Sequence, residues 1–124
     1  MITTLLEMCF ANTEGGMEIN LDKIKCDDIV KILFAENPGV IIQVADKHKS
    51  EVKKILDEAG VGYVKIGVPT EERHILVTKH DATYQFGIDY LRDVWYSTSY
   101  LLDRKQSMNG CAKKRFENYK QQPL

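Results

Sequence analysis

Cysteine and histidine are the side chains in this sequence best suited to nucleophilic or metal chemistry, and their spacing favours neither. A catalytic thiolate needs a neighbouring base, and a zinc ion needs three or four ligands. No cysteine or second histidine lies two to four residues from any histidine, and Cys9 falls on the apolar face of a predicted helix, as a small core residue would. We therefore predict no catalytic cysteine and no metal site. The residues concerned are Cys9, Cys26, Cys111, His48, His74 and His80.

A glycine pair and two carboxylate pairs are the other candidates for chemistry. The stretch "EGGM" around Gly15 and Gly16 lacks the spacing of a phosphate-binding loop, and it leads into a predicted strand rather than a helix N-terminus. It therefore predicts a plain turn. Asp27-Asp28 and Glu71-Glu72 are adjacent pairs, and adjacent side chains on a helix or strand point apart. We predict no acid–base dyad and no catalytic or cofactor-binding residue in this chain.

The densest aromatic cluster lies in "DVWYSTSYLLDRKQ", which is predicted to be helical. Trp95 falls on an apolar stripe, whereas Tyr96 and Tyr100, four residues apart, lie on a second face. A helix that is apolar on two faces is usually covered on both, and an uncovered aromatic patch marks an interface. A basic segment follows this helix. We predict an interdomain interface formed by Trp95, Tyr96, Tyr100, Lys113, Lys114 and Arg115.

Composition indicates one domain with an uneven distribution of charge. The chain has 124 residues, 44% of them hydrophobic, and a net charge of −1. From Arg104 onward the charge is +5, so the preceding part carries −6. An acidic body argues against nucleic acid as a partner, and the lack of a long apolar run argues against a membrane span. Three cysteines without metal spacing indicate reduced thiols and a cytoplasmic location.

Hydrophobic periodicity predicts the element order α-β-α-β-α-β-β-β-α followed by a tail, which is an α/β (α+β) fold with a mixed sheet. "GVIIQVADK" (39–47) and "VGYVKIGVP" (61–69) are predicted strands on either side of a helix, which makes a β-α-β unit with parallel strands. "RHILVTKH" and "ATYQFG" predict a hairpin that turns at His80-Asp81. The helix of the β-α-β unit is expected to bury Val52, Ile55 and Leu56.

Both ends of the sequence predict an incomplete unit. The first helix, "MITTLLEMCFAN", has Ile2, Leu5, Leu6, Cys9 and Phe10 on one face, but no Ser, Asp or Asn precedes it as an N-cap. The tail from Ser107 has no hydrophobic pattern on which to fold. We therefore predict a piece of a larger protein, whose tail lies on a neighbouring domain. The last helix is expected to turn one stripe inward, consisting of Leu91, Val94, Trp95, Thr98, Leu101 and Leu102.

Three segments carry a resemblance to a known family: "MITTLLEMCFAN", "LFAENPGVIIQV" and "DVWYSTSYLLDRKQSMNGCAKKRFENYK". The chain resembles part of the large single-chain phosphoribosylformylglycinamidine synthases, the glutamine-dependent amidotransferases of purine biosynthesis. By this resemblance, residues 1–87 form a partial domain similar to the C-terminal half of aminoimidazole ribonucleotide synthetase, incomplete at its N-terminus. Residues 88–106 form a closing helix, and 107–124 a basic linker toward the glutaminase domain.

The resemblance also implies the chemistry of the larger protein. That family converts formylglycinamide ribonucleotide to the amidine with ATP, magnesium and ammonia released from glutamine. The family motif at the nucleotide and metal site should end just before Met1, and no catalytic residue of the family maps onto this chain. The implied role is structural, with no cofactor in this chain and the remaining domains of the parent enzyme as partners. The isolated chain is expected to be inactive, and a homo-oligomer through the exposed interdomain surfaces stays open.

Two other functions stay open at this point. The predicted β-α-β unit suits a free-standing regulatory module of ferredoxin-like topology that binds a small molecule. The basic tail, with Phe116 and Tyr119 as stacking residues, suits an RNA-binding adaptor. A saturable thermal shift with amino acids or nucleotides would favour the module, and salt-sensitive RNA binding would favour the adaptor.

Overall fold

A computed structural model describes residues 1–118 and shows an α+β fold, in which a mixed four-stranded sheet packs against helices. Tyr119 and Lys120, which belong to the predicted tail, lie outside the described residues. The helices are α1 (Ile2–Phe10), α2 (Ile29–Phe34), α3 (Lys49–Glu58), α4 (Ile88–Gln106) and α5 (Cys111–Asn118). The strands are β1 (Gly16–Asn20), β2 (Gly67–Thr70), β3 (His74–Lys79) and β4 (Ala82–Gly87).

The sheet has the order β2-β1-β3-β4, and only the central pair of strands is parallel. β1 pairs in parallel with β3, with Met17 opposite Ile75, and the two outer strands pair antiparallel to their neighbours. β3 and β4 form the predicted hairpin, and His80 takes a positive φ of 53° in its turn. The mixed sheet and the hairpin are therefore confirmed.

The core lies between α1, α2 and one face of the central strands. Burial alternates along β3, because successive side chains of a strand point to opposite faces. The apolar face predicted for α1 is confirmed, since Ile2, Leu5 and Cys9 are buried, and Leu6 and Phe10 are partly buried against the core. The other buried hydrophobic residues of this cluster are Met17, Ile19, Leu21, Ile32, Leu33, Ile75, Val77 and Ile88.

The parallel β-α-β unit predicted for residues 39–69 is wrong. Residues 39–45 form no strand, and Val40 is 88% exposed. Only Gly67–Thr70 of the second predicted strand joins the sheet, and it runs antiparallel to β1. Residues 39–45 pair with neither β2 nor β4, the outer strands of the described sheet, so a β-branched run alone does not secure a place in it. The intervening helix α3 has no buried residue, and Ile55 is exposed.

Close backbone approach explains the glycine pair. Gly15 has a φ of +78°, in the left-handed region that glycine adopts without strain. A Cβ atom on Gly16 would lie 2.0 Å from the carbonyl oxygen of His74 and 2.4 Å from that of Glu72. Gly15 therefore forms the predicted turn, and Gly16, the first residue of β1, lies close to the chain that enters β3.

Candidate interdomain interface

The first turns of α4 are fixed to the body of the fold by a cluster of charged side chains. Arg73 donates from Nε to Asp89 Oδ1 and from Nη1 to the carbonyl oxygens of Cys9 and Gly15, each at 3.1 Å. Asp89 Oδ1 also forms an ion pair with Arg92 Nη2 at 3.0 Å, and Arg92 is 5% exposed. One arginine thus joins the end of α1, the turn before β1 and the start of α4.

The remaining length of α4 is less buried than its sequence predicts. Ile88 and Arg92 are the buried residues of the helix, whereas Val94, Leu101 and Leu102 are each at least half exposed. The prediction that their stripe faces inward is therefore wrong. A 19-residue helix is about 28 Å long. It packs against α1, α5 and β4.

Trp95 lies at the boundary between the covered and uncovered parts of α4. Its ring centroid is 6.1 Å from that of Phe10 in α1, at an interplanar angle of 56°, which is a favourable tilted contact. Half of the Trp95 residue is nevertheless exposed. Tyr90, one helical turn earlier than Val94, is 72% exposed. The helix thus leaves apolar and aromatic surface uncovered among the described residues.

The segment after α4 folds back on it, which differs from the prediction of a tail with nothing to pack on. Residues 111–118 form α5, in which Ala112 is buried. The rings of Phe116 and Tyr100 stack with centroids 4.7 Å apart. The glycine Gly110, with a φ of +85°, turns the chain before α5. The polar composition of the segment concealed this packing, because it depends on one aromatic ring, one small residue and one ion pair.

A hydrogen-bonded ion pair holds α5 against α4. Arg115 donates from Nε to Asp103 Oδ2 at 2.8 Å and from Nη2 to Asp103 Oδ1 at 2.6 Å. Ser107 Oγ donates to Asp103 Oδ1 and accepts from Arg115 Nη2. Hydrogen bonds from Arg115 and then Ser107 lower the pKa of Asp103, and the Asp103 carboxylate raises the pKa of Arg115. This geometry is the two-pronged arginine–carboxylate pair, which fixes orientation as well as distance.

The structure brings together four of the six residues predicted for the interface. Tyr96, Tyr100, Lys114 and Arg115 line one open groove between α4 and α5. Trp95 lies instead on the side of α1, and Lys113 pairs with Glu117 within α5 at 3.7 Å. Asp103 and Ser107 were missed, although their spacing of four residues places them on one side of the helix end.

The other candidate sites form no reactive arrangement among residues 1–118. Burial raises the pKa of the Cys9 thiol, against a smaller opposing effect of Arg73, and Cys111 is exposed. No group of three or more His, Cys, Asp or Glu side chains in this range is placed to hold a metal ion. Asp28 caps α2 by accepting hydrogen bonds from the backbone N–H groups of Val30 and Lys31. Over the described part of the chain, every helix is too short or too polar to cross a membrane.

Comparison with known proteins identifies the domain family of this chain. Residues 1–80 match the family described as AIR synthase related protein, C-terminal domain. This match covers more than half of the 124 residues, and the chain belongs to this family.

Two relatives then give the more particular likeness. The chain is 33% identical over 123 residues to a Saccharomyces cerevisiae protein named phosphoribosylformylglycinamidine synthase. The aligned region covers 94% of this chain and 9% of the relative. The human protein of the same name is 30% identical over 115 residues, which cover 90% of this chain and 8% of the relative. The resemblance predicted from the three segments is confirmed, and the chain spans less than a tenth of either relative.

Proposed function

We propose that this chain is a structural part of a larger phosphoribosylformylglycinamidine synthase. The observation that carries the proposal is the alignment, which covers 94% of this chain and only 9% of the yeast relative. The larger enzyme acts in the cytoplasm as an ATP-dependent ligase of purine biosynthesis, with glutamine as the amide donor. It converts formylglycinamide ribonucleotide to the amidine, and this segment completes one synthetase-like half of it.

The surface of α4 supports an interdomain role for this segment. Val94, Trp95 and Leu101 are each about half exposed. Burial of apolar side chains of this size would lower the free energy of the protein in water. The remaining domains of the larger enzyme cover this face and the part of the groove between α4 and α5 that Tyr96 and Tyr100 line. Trp95, Tyr96, Tyr100 and the basic residues of α5 then belong to the same contact region, as the sequence predicts.

ATP and magnesium bind elsewhere in the larger enzyme. The residues described here do not fit these groups, because Gly15–Gly16 runs into β1 and Gly16 is pressed against the backbone at His74. No three metal-ligating side chains of residues 1–118 are grouped. We expect the isolated chain to have no ligase activity of its own.

The test is an exchange of segments. The yeast relative with its matching segment replaced by this chain is assayed for ATP- and glutamine-dependent formation of the amidine. Turnover within about tenfold of the unmodified yeast enzyme is expected, because covered surfaces tolerate sequence differences that preserve apolar character and volume. The same chimera carrying Gly16→Trp serves as the misfolded control. A folded but inactive chimera, or turnover by the isolated 124-residue chain, would contradict the proposal.

A further inference from the structure

Ser107 lies at the point where the two C-terminal helices meet. It is the first residue after α4, is half-buried, and belongs to the four-residue connection that precedes α5. Its hydroxyl donates to Asp103 Oδ1 and accepts from Arg115 Nη2. Ser107 is thus the side chain of the connection that contacts both members of the ion pair between α4 and α5.

Basic side chains precede Ser107 at the spacing that many serine kinases read. Arg104 lies three residues before it and Lys105 two residues before it, and both are exposed. Met108, which follows it, is 84% exposed. Kinases select substrates partly through such charge patterns.

We propose that Ser107 is a phosphorylation site for a serine/threonine kinase that prefers basic substrates. In the reaction, Ser107 Oγ attacks the γ-phosphorus of ATP bound to the kinase, and the bond between that phosphorus and the bridging oxygen of ADP breaks. The hydroxyl proton passes to the base of the kinase, and ADP with magnesium leaves. The product is a phosphoserine in the connection between α4 and α5.

The phosphate changes the partner of Arg115. It carries a charge of about −1.5 to −2 and three acceptor oxygens. Arg115 Nη2 already donates to the oxygen that receives the phosphoryl group, so the guanidinium contacts the phosphate without moving far. The Asp103 carboxylate, which accepts a hydrogen bond from Ser107 Oγ before modification, is repelled by the negative charge of the phosphate. Phosphorylation therefore replaces Asp103 by the phosphate as the partner that holds α5.

Ser50 offers a matched comparison within the same chain. Lys47 lies three residues before it, and Ser50 is exposed in the first turn of α3. The residue three positions before Ser50 is therefore a lysine, whereas the residue three positions before Ser107 is an arginine. A kinase that reads only accessibility and any basic charge will modify Ser50 at least as well as Ser107.

The experiment treats the purified chain with the catalytic subunit of the cAMP-dependent protein kinase and ATP–magnesium, followed by mass spectrometry of peptides. We expect one phosphoryl group on Ser107, lost in Ser107→Ala and reduced at least about tenfold in Arg104→Gln, since a single charged contact contributes this much to substrate choice. Modification of Ser50 alone, or equal modification in Arg104→Gln, would overturn the assignment of the site.

A second measurement tests the change of partner. Hydrogen exchange of the α5 amides is compared with and without Asp103→Asn, in the unmodified and in the phosphorylated chain. We expect the substitution to accelerate exchange in the unmodified chain and to have little effect after phosphorylation. Equal acceleration in both states, or loss of α5 on phosphorylation, would overturn the proposed exchange of partners.

Discussion

Arg115 of α5 holds both carboxylate oxygens of Asp103 in α4, at 2.8 Å and 2.6 Å. The two residues are twelve positions apart and come together because the chain turns between Ser107 and Gly110. With the stacked rings of Tyr100 and Phe116, this pair fixes how α5 lies on α4. The orientation of the groove between these helices therefore depends on one arginine–carboxylate contact, one aromatic contact and the burial of Ala112.

Removal of the charge on Asp103 should release α5. Asp103→Asn keeps the size of the side chain but removes the two-pronged ion pair with Arg115. We expect several-fold faster hydrogen exchange of the α5 amides, with no change in the amides of β3. Lys105→Gln, a charge change on an exposed side chain of the same helix, is the control and should leave α5 exchange unaltered. Unchanged α5 exchange in Asp103→Asn would show that the rings alone hold the helix.

The same pair should make the α4–α5 contact dependent on pH. Hydrogen bonds from Arg115 and Ser107 lower the pKa of Asp103 in the folded state, so the contact is present above about pH 4, the ordinary value of aspartate. Its contribution is lost as the pH falls through the lowered pKa of the folded state. Carbon-13 NMR of the carboxyl group should give a titration midpoint below that of the same group in Arg115→Gln. Equal midpoints would contradict the observed hydrogen bonding.

Gly16 should be intolerant of any side chain. Gly16→Ala would place Cβ 2.0 Å from the carbonyl oxygen of His74, so the backbone of β1 or β3 must shift. We expect a loss of about 1–3 kcal/mol in the free energy of unfolding, as for other overpacked cores. Gly39→Ala, where a Cβ atom has open space, is the matched control for denaturant titrations. Equal midpoints for the two variants would indicate that β1 and β3 are farther apart than described.

Arg73 should stabilise the fold through its backbone contacts. Arg73→Gln removes the donors to the carbonyl oxygens of Cys9 and Gly15 and the ion pair with Asp89. Partly buried acceptors that lose their donors cost about 1–3 kcal/mol, which thermal unfolding would detect. Arg104→Gln makes the same chemical change on an exposed side chain and should leave the melting temperature within about one degree, as surface changes usually do. Similar losses in both variants would contradict the role of Arg73.

Local patterns predicted the parts of this fold that depend on neighbouring residues. The apolar face of α1, the Gly15–Gly16 turn and the β3–β4 hairpin all follow from spacing and turn chemistry. The strand predicted at 39–47 failed although β2 and β4 each keep one edge unpaired among the described strands, so β-branched composition does not by itself bring a segment to a sheet edge.

The groove between α4 and α5 was predictable only in part. Its aromatic residues were evident from their density in one helix. The positions of Asp103 and Ser107 were not evident, because they depend on α5 folding back, which no hydrophobic pattern signalled. Long-range ion pairs between short polar segments lie beyond periodicity arguments.

The interdomain role of α4 is tested most directly by hydrogen exchange of this helix in two settings. Amides of residues 94–102 are measured in the isolated chain and in the yeast chimera that carries this chain as its matching segment. If the uncovered face of α4 is an interdomain surface, exchange there should be at least about tenfold slower in the chimera, because packing against other domains suppresses local opening. Equal exchange in a folded, active chimera would mean that this face stays exposed in the larger enzyme, and the interdomain role of α4 would be wrong.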